Sequence, residues 1–336
     1  MKTTDFAYYL SSYLTDYLPL QRNTSRNTIR SYRDCFKLFI KYLSEEKGIS
    51  IEKISLKNIE RNTVTSFLLW LEQERECSIS TRNQRLAAIE SFFKYIAAEK
   101  PEYLFQAQQI GSIRIKKSSK PVIEYLSVEA TKTLLSVIDT ASKQGRRDLT
   151  MMSLLYDSGA RVQELIDLKV QDMHTGIAPT VDITGKGNKF RTVPITKATG
   201  DILDKYIHEF NLNKPENQCK QLFKNKFNHS FTREGVTYTL QKYATIAHEE
   251  DTSIPRNISP HILRHTKAMH LIQAGVDLVS IRDFLGHVDI STTDIYAKTN
   301  VEEKRKALKK AENLVTVEMK SWEEDHDLME FLNSIR

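Results

Sequence analysis

The sequence predicts a mainly α protein with one small antiparallel β-sheet (α+β), built as a helical N-terminal bundle followed by a mixed second domain. Three observations carry this. Apolar residues step by three and four through the first hundred residues without strand-like alternation. One stretch near residue 180 turns β-branched around a glycine-containing turn, and helical periodicity resumes from 198 to the end.

In the first part, Ile29, Tyr32, Phe36, Phe39 and Leu43 form one helical stripe that ends at Gly48. A second helix, capped by Ser55 or Asn58, carries the FLLWL run. A third follows Ser80, lines Leu86, Ile89, Phe93 and Ile96 along one side, and closes at Pro101. These make a small all-helical bundle over residues 1–109. Residues 110–121 hold Gly, two serines, Pro and several cations without apolar periodicity, which reads as a basic linker. A second domain is expected over 122–300. It opens with a helix from Ser127, another from about Arg146 to Tyr156 closed by Gly159, and a short one through RVQELIDL. VDIT and FRTVPI around GKGN then have the signature of a β-hairpin. Residues 301–336 form a helical tail of mixed charge with Leu328, Phe331, Leu332 and Ile335 on one stripe.

Composition bounds the partners. With 40% hydrophobic and 27% charged residues the chain is ordinary globular protein, and its longest apolar runs are too short for a bilayer. The N-terminus lacks the long apolar core of a signal peptide, so a cytoplasmic protein is expected, with no membrane partner. Cys35, Cys77 and Cys219 are odd in number and unpaired in spacing, which argues against a disulfide framework or a metal cluster. A net charge of +6 permits a polyanionic partner. Basic residues gather at 21–33, 114–120, 145–147 and 185–191, and together they suggest a long positive surface. Arg26, Arg30, Thr81, Arg82, Arg85, Lys116, Lys117, Lys189 and Arg191 are the candidate contacts to a phosphate backbone.

The stretch SPHILRHT raises the chemical question. Ser259 suits a helix N-cap and Pro260 the first helical position, so His261, Arg264 and His265 fall on one face of the first turns, at the end of the dipole that favours an anion. Two other readings stay open there. One is a solvated basic turn. The other is zinc, from the i, i+4 histidine spacing, although Ile262 stands where HExxH places its Glu.

Read in order, SGARVQEL (158–165), TGKGNKFR (184–191), HILRHT (261–266), FLGHVDI (284–290) and STTDIYAK (291–298) closely resemble the active-site boxes of the tyrosine recombinase family, the phage integrase and Xer-type enzymes. The resemblance spans essentially the whole chain and implies a core-binding helical domain followed by a catalytic domain. It implies that Arg161 and Arg264 clamp the phosphate, a task suited to the planar, permanently charged guanidinium. It makes Tyr296 the nucleophile, His261 its proton acceptor, Lys186 the general acid, with Lys189 on the same turn as a rival, and His287 a donor to the scissile phosphate. Glu164 would buttress the site. The implied reaction is DNA transesterification through a 3′-phosphotyrosyl link, on double-stranded DNA, with no metal or other cofactor. A tetramer on synapsed DNA is also implied, with the C-terminal tail either exchanged between protomers or docked on its own domain. A type IB topoisomerase and a non-catalytic DNA-binding regulator of the same fold are the alternatives. Lys267 departs from the small or aromatic residue that relatives carry there.

Overall fold

The computed structural model describes residues 4–117, 124–185 and 187–286, and the chain divides into two compact units, Met1–Pro121 and Val122–Arg336.

Within the first unit, α1 (Asp5–Ser12) runs directly into a π-helical stretch, Tyr13–Gln21, that contains Pro19. Next come α2 (Arg26–Glu45), α3 (Arg61–Gln73), α4 (Ile79–Glu99) and α5 (Leu104–Gly111). Serine side chains cap two of these as the local chemistry asks, Ser25 accepting from the Thr28 N–H and Ser78 from the Thr81 N–H. The anticipated cap at Ser55 instead begins a 3₁₀ turn, Leu56–Asn58, and α3 starts after Glu60 without a side-chain cap. The helical stripes close on an aromatic core in which the Phe92 ring lies 5.1 Å from Phe36, 5.3 Å from Tyr13 and 5.9 Å from Phe6, mostly edge to face. The expected linker begins inside α5, which runs on to Gly111. Beyond it, the backbone of Lys116 exchanges two hydrogen bonds with the Asn83 side chain, so this segment lies along α4 at least to residue 116.

The second unit holds α6 (Val128–Ser136), α7 (Lys143–Ser158) and α8 (Val162–Asp167) before the sheet. Helix α7 starts earlier than its apolar pattern indicated because Ser142 caps it through the Gly145 N–H. The sheet is antiparallel in the order β1 (Met173–His174), β2 (Thr180–Thr184), β3 (Phe190–Pro194). The hairpin was expected; β1, only two residues long, was not. Ile183 faces Arg191 and Val181 faces Val193 across the ladder, so Arg191 shares the inner face with these buried residues. Helices α9 (Lys197–Glu209), α10 (Arg233–Glu250), α11 (Pro260–Gln273) and α12 (Leu278–Leu285) complete the described part. Among the described residues no helix is long and apolar enough to cross a membrane.

Candidate active site

Gly159 ends α7 in the left-handed region (φ 57°), and its missing side chain leaves room for Leu285, whose Cδ2 would lie 2.8 Å from an added Cβ. The reversal delivers Arg161 to the N-cap of α8. Its backbone N–H donates to Glu164 Oε2 (2.9 Å), the acid-to-backbone half of a capping box, and its Nη1 donates to Oε1 (2.8 Å). Glu164 is only 6% exposed and also takes Arg191, whose Nη2 donates to Oε2 at 2.8 Å. Burial works to raise the Glu164 pKa, but the Arg191 hydrogen bond, then those of Arg161, outweigh it and hold the carboxyl below its usual range.

Three arginines converge on the carbonyl end of α12. Arg191 Nε donates to Phe284 O (3.1 Å), Arg264 Nη2 to Leu285 O (2.7 Å) and Arg161 Nη2 to Gly286 O (3.4 Å). The last carbonyls of a helix lack partners within it and carry the negative end of its dipole, so cations are favoured there. Arg264 Nη1 also donates to Gly159 O at 2.6 Å, tying the ends of α7 and α12 to α11.

His261 stands at the surface on the first turn of α11. Partial burial of its ring, then the guanidiniums of Arg264, Arg161 and Arg233, hold its pKa below the usual value, so the imidazole is neutral near pH 7. Partial burial also lowers the pKa of His265, followed by His261 and Arg264. Ser259 is the N-cap residue of α11, though its side chain makes no capping hydrogen bond. Arg233 was not singled out from the sequence. It opens α10, and its Nε donates to Gln163 Oε1 on α8 at 2.7 Å. The signal available was a Thr-Arg pair at a helix start, with Thr232 capping through the Gly235 N–H.

The unusual Lys267 has a local explanation. Its Nζ lies 2.7 Å from Asp157 Oδ1, both side chains largely buried, and Asp157 Oδ2 accepts the Thr196 N–H at 2.6 Å. Burial works against the Asp157 charge, but Lys267 and the Thr196 N–H prevail and its pKa is lowered. Nearby, His270 Nε2 faces Leu126 O, which can only accept, so Nδ1 is the acceptor for the Tyr156 hydroxyl at 2.8 Å.

Thus Arg161, Glu164, His261 and Arg264 come together, while Lys186, His287 and Tyr296 lie outside the described residues. The candidate DNA contacts divide. Arg26, Arg30, Lys117 and Lys189 are exposed, and Thr81 is half-buried in the cap of α4. Lys116 is exposed but its Nζ pairs with Glu72 at 2.7 Å. Arg82 is a correction: it is 4% exposed, donates to Arg114 O and Asn83 Oδ1, and lies 3.5 Å from Glu72, so it holds α4 to its neighbours. Arg85 is half-buried and donates to Ser31 O (2.8 Å). Arg191 belongs to the Glu164 cluster instead of the outer surface. In the basic cluster at 145–147, Arg146 forks onto Glu209 in a partly exposed ion pair, and Arg147 is buried against Asp148. The long positive surface is therefore shorter than charge patterning indicated. Among the described residues no group of three or more His, Cys, Asp or Glu side chains is placed to hold a metal ion.

A mainly helical protein whose second unit gathers arginines, a buttressing carboxylate and a neutral histidine around one helix end has the make-up of a phosphate-handling catalyst. Residues 124–303 match the phage integrase family and residues 11–100 the phage integrase N-terminal SAM-like domain. A putative integrase/recombinase of Sinorhizobium fredii is 32% identical over 336 residues, 99% of each chain. The tyrosine recombinase XerD of Listeria monocytogenes is 32% identical over 282 residues, covering 83% of this chain and 90% of its own. In fold, the chain resembles the XerH site-specific recombinase bound to difH substrate in a pre-cleavage complex, with a TM-score of 0.66, 23% identity, and coverage of 89% and 84%. The chain belongs to the phage integrase family and is a tyrosine recombinase, an enzyme that breaks and rejoins DNA.

Proposed function

We propose that the chain recombines double-stranded DNA at specific sites through a covalent 3′-phosphotyrosyl intermediate. The Tyr296 phenol oxygen attacks the scissile phosphorus, the O5′ bond breaks, and the phenol proton passes to His261. Lys186 supplies a proton to the departing 5′ oxygen. A phenol is largely protonated at neutral pH, so an acceptor that is itself uncharged there is required, and the lowered pKa of His261 supports that role. Arg161 and Arg264 neutralise the non-bridging oxygens as charge builds, His287 donates a further hydrogen bond, and Glu164 orients Arg161. A second duplex's 5′-hydroxyl reverses the link, so one diester replaces another without a nucleotide cofactor. Exposed Arg26, Arg30, Lys117 and Lys189 track the backbone, and the working assembly is a tetramer on synapsed DNA inside the cell, at the nucleoid, whether for integration, excision, transposition or resolution.

The observation that carries this reading is the convergence of Arg161, Glu164, His261 and Arg264, drawn from residues a hundred positions apart, at one end of α8, α11 and α12. The test uses nicked suicide duplexes drawn from the genomic sequence that flanks the chain's own gene. A denaturation-resistant protein–DNA adduct is expected from the wild type in the presence of EDTA, and none from Tyr296→Phe despite retained binding. An adduct from Tyr296→Phe would assign the nucleophile elsewhere; supercoil relaxation without strand exchange would move the reading to a topoisomerase.

A further inference from the structure

Arg191 lies where the proposed machinery has no role for it. It projects from the inner face of β3, is one-eighth exposed, and reaches two acceptors on different elements: Glu164 on α8 and Phe284 O at the end of α12. Two glycines make space for this pair. A Cβ on Gly286 would come within 2.8 Å of Arg191 Nη1, and one on Gly185 within 3.1 Å of Glu164 Oε1. Room has been kept on both sides.

We infer that Arg191 is a positioning residue for DNA cleavage, acting through Glu164 on Arg161. This rests on the recombinase reading above. A buried carboxylate seeks donors for both oxygens, and a guanidinium meets that demand best with two parallel hydrogen bonds. With Glu164 served by Arg161 alone, the Arg161 fork would swing flat against it and turn away from substrate. Arg191 forks onto the carboxylate, Nη2 to Oε2 at 2.8 Å and Nη1 to Oε1 at 3.4 Å, and Oε2 also accepts the Arg161 backbone N–H, so the Arg161 side chain meets Glu164 through Nη1 alone and keeps about a third of itself exposed. The same guanidinium fixes the base of the β2–β3 hairpin to the end of α12, so α8, the hairpin and α12 are held in one register. A lysine, with a single ammonium, cannot serve Glu164 and Phe284 O with the same geometry.

Single-turnover adduct formation on the nicked duplex that wild-type protein attacks separates the possibilities. Arg191→Ala should lower the first-order rate constant about 10²-fold, the scale on which small misplacements of a reacting group act. The half-saturating DNA concentration should stay near the wild-type value. Arg191→Lys should recover part of the loss. In a Glu164→Gln background, removing Arg191 should cost little more, because two residues acting as a unit are not additive. A wild-type rate constant in Arg191→Ala would overturn the inference, as would a fall confined to the amplitude, or losses in Arg191→Ala and Glu164→Gln that multiply. If Arg191→Ala does not fold, Arg191→Lys decides: a slower rate at unchanged melting temperature supports positioning, and an unchanged rate overturns it. Failure of the wild type itself to form an adduct would overturn the recombinase reading and this inference with it.

Discussion

The two units bury different things. The first closes on rings and aliphatic side chains, with Phe36, Phe39, Phe67, Phe92 and Phe93 essentially inaccessible and Arg82 the charged residue buried among them. The second has an aliphatic core of comparable kind, yet it also buries Arg147, Asp148, Asp157, Glu164 and Arg264. Burying a charge is unfavourable unless it is paired and hydrogen-bonded. Arg147 and Asp148 pair with each other, Asp157 with Lys267 and Glu164 with Arg161 and Arg191, while Arg264 is hydrogen-bonded to the main-chain carbonyls of Gly159 and Leu285. One unit is therefore stabilised chiefly by packing, the other in addition by a polar frame that holds its reactive groups still.

Substitutions can break that contrast, the largest effect coming first. Arg264→Ala strips a buried guanidinium from Gly159 O and Leu285 O and removes the proposed phosphate clamp; cleavage should fall by several powers of ten, on the order of 4 kcal/mol or more, in single-turnover assays, with DNA binding less affected. Phe92→Ala should destabilise the first unit by about 3–5 kcal/mol by denaturant titration while leaving the cleavage rate of the folded fraction unchanged. Lys267→Ala leaves Asp157 buried without its cation and should cost about 3 kcal/mol, whereas replacing both partners by apolar residues of similar volume should restore much of it. An equal cost for the double replacement would remove the distinction between the frames. Ser25→Ala, which removes only a helix cap, should cost about 1 kcal/mol.

Acid sharpens the same comparison. Glu164 and Asp157 have folded pKa values below their unfolded ones, so their contribution is complete above the unfolded values, near pH 4. It is lost as pH falls through the lower folded values, and melting temperatures of the second unit should drop there more steeply than those of the first. With His261 as the proposed proton acceptor, its depressed pKa means that cleavage should hold its rate through the pH range in which an ordinary histidine becomes charged and decline only on further acidification.

Much of this was legible in the sequence wherever a local rule and a long-range demand agree. Helices α2 and α11 have apolar stripes and serine or proline at their starts; α4 has its stripe, but its cap is Ser78 and the expected start after Ser80 lies inside the first turn. Arg161, Glu164, His261 and Arg264 were singled out by the resemblance of their boxes to those of the tyrosine recombinase family. What was misread has one physical origin. Arg82, Arg85 and Arg191 look like surface cations when taken singly, because a basic residue is normally solvated. Helix α4 is buried on more than one side, so its Arg82 falls inside the bundle. For Arg191 the sign was present: it alternates in phase with Val193 along β3, and period-two alternation places both on the inner face. Strand β1 and the π-helical stretch left no such sign, the first being two residues long and the second a helix in which Pro19 displaces the usual hydrogen-bond pattern.

The pairing of Ile183 with Arg191 also sets what this chain can tolerate as it diverges. Gly185, where an added Cβ would press on Glu164, and Lys186, the proposed proton donor, both fall in the connection between 184 and 190. A deletion that slips β3 by one residue would rotate its later side chains to the opposite face, send Arg191 into solvent and bring Thr192 to the buried carboxylate in its place. The strand is thus a ruler whose spacing is kept by the chemistry at its edge, and lineages should preserve its length.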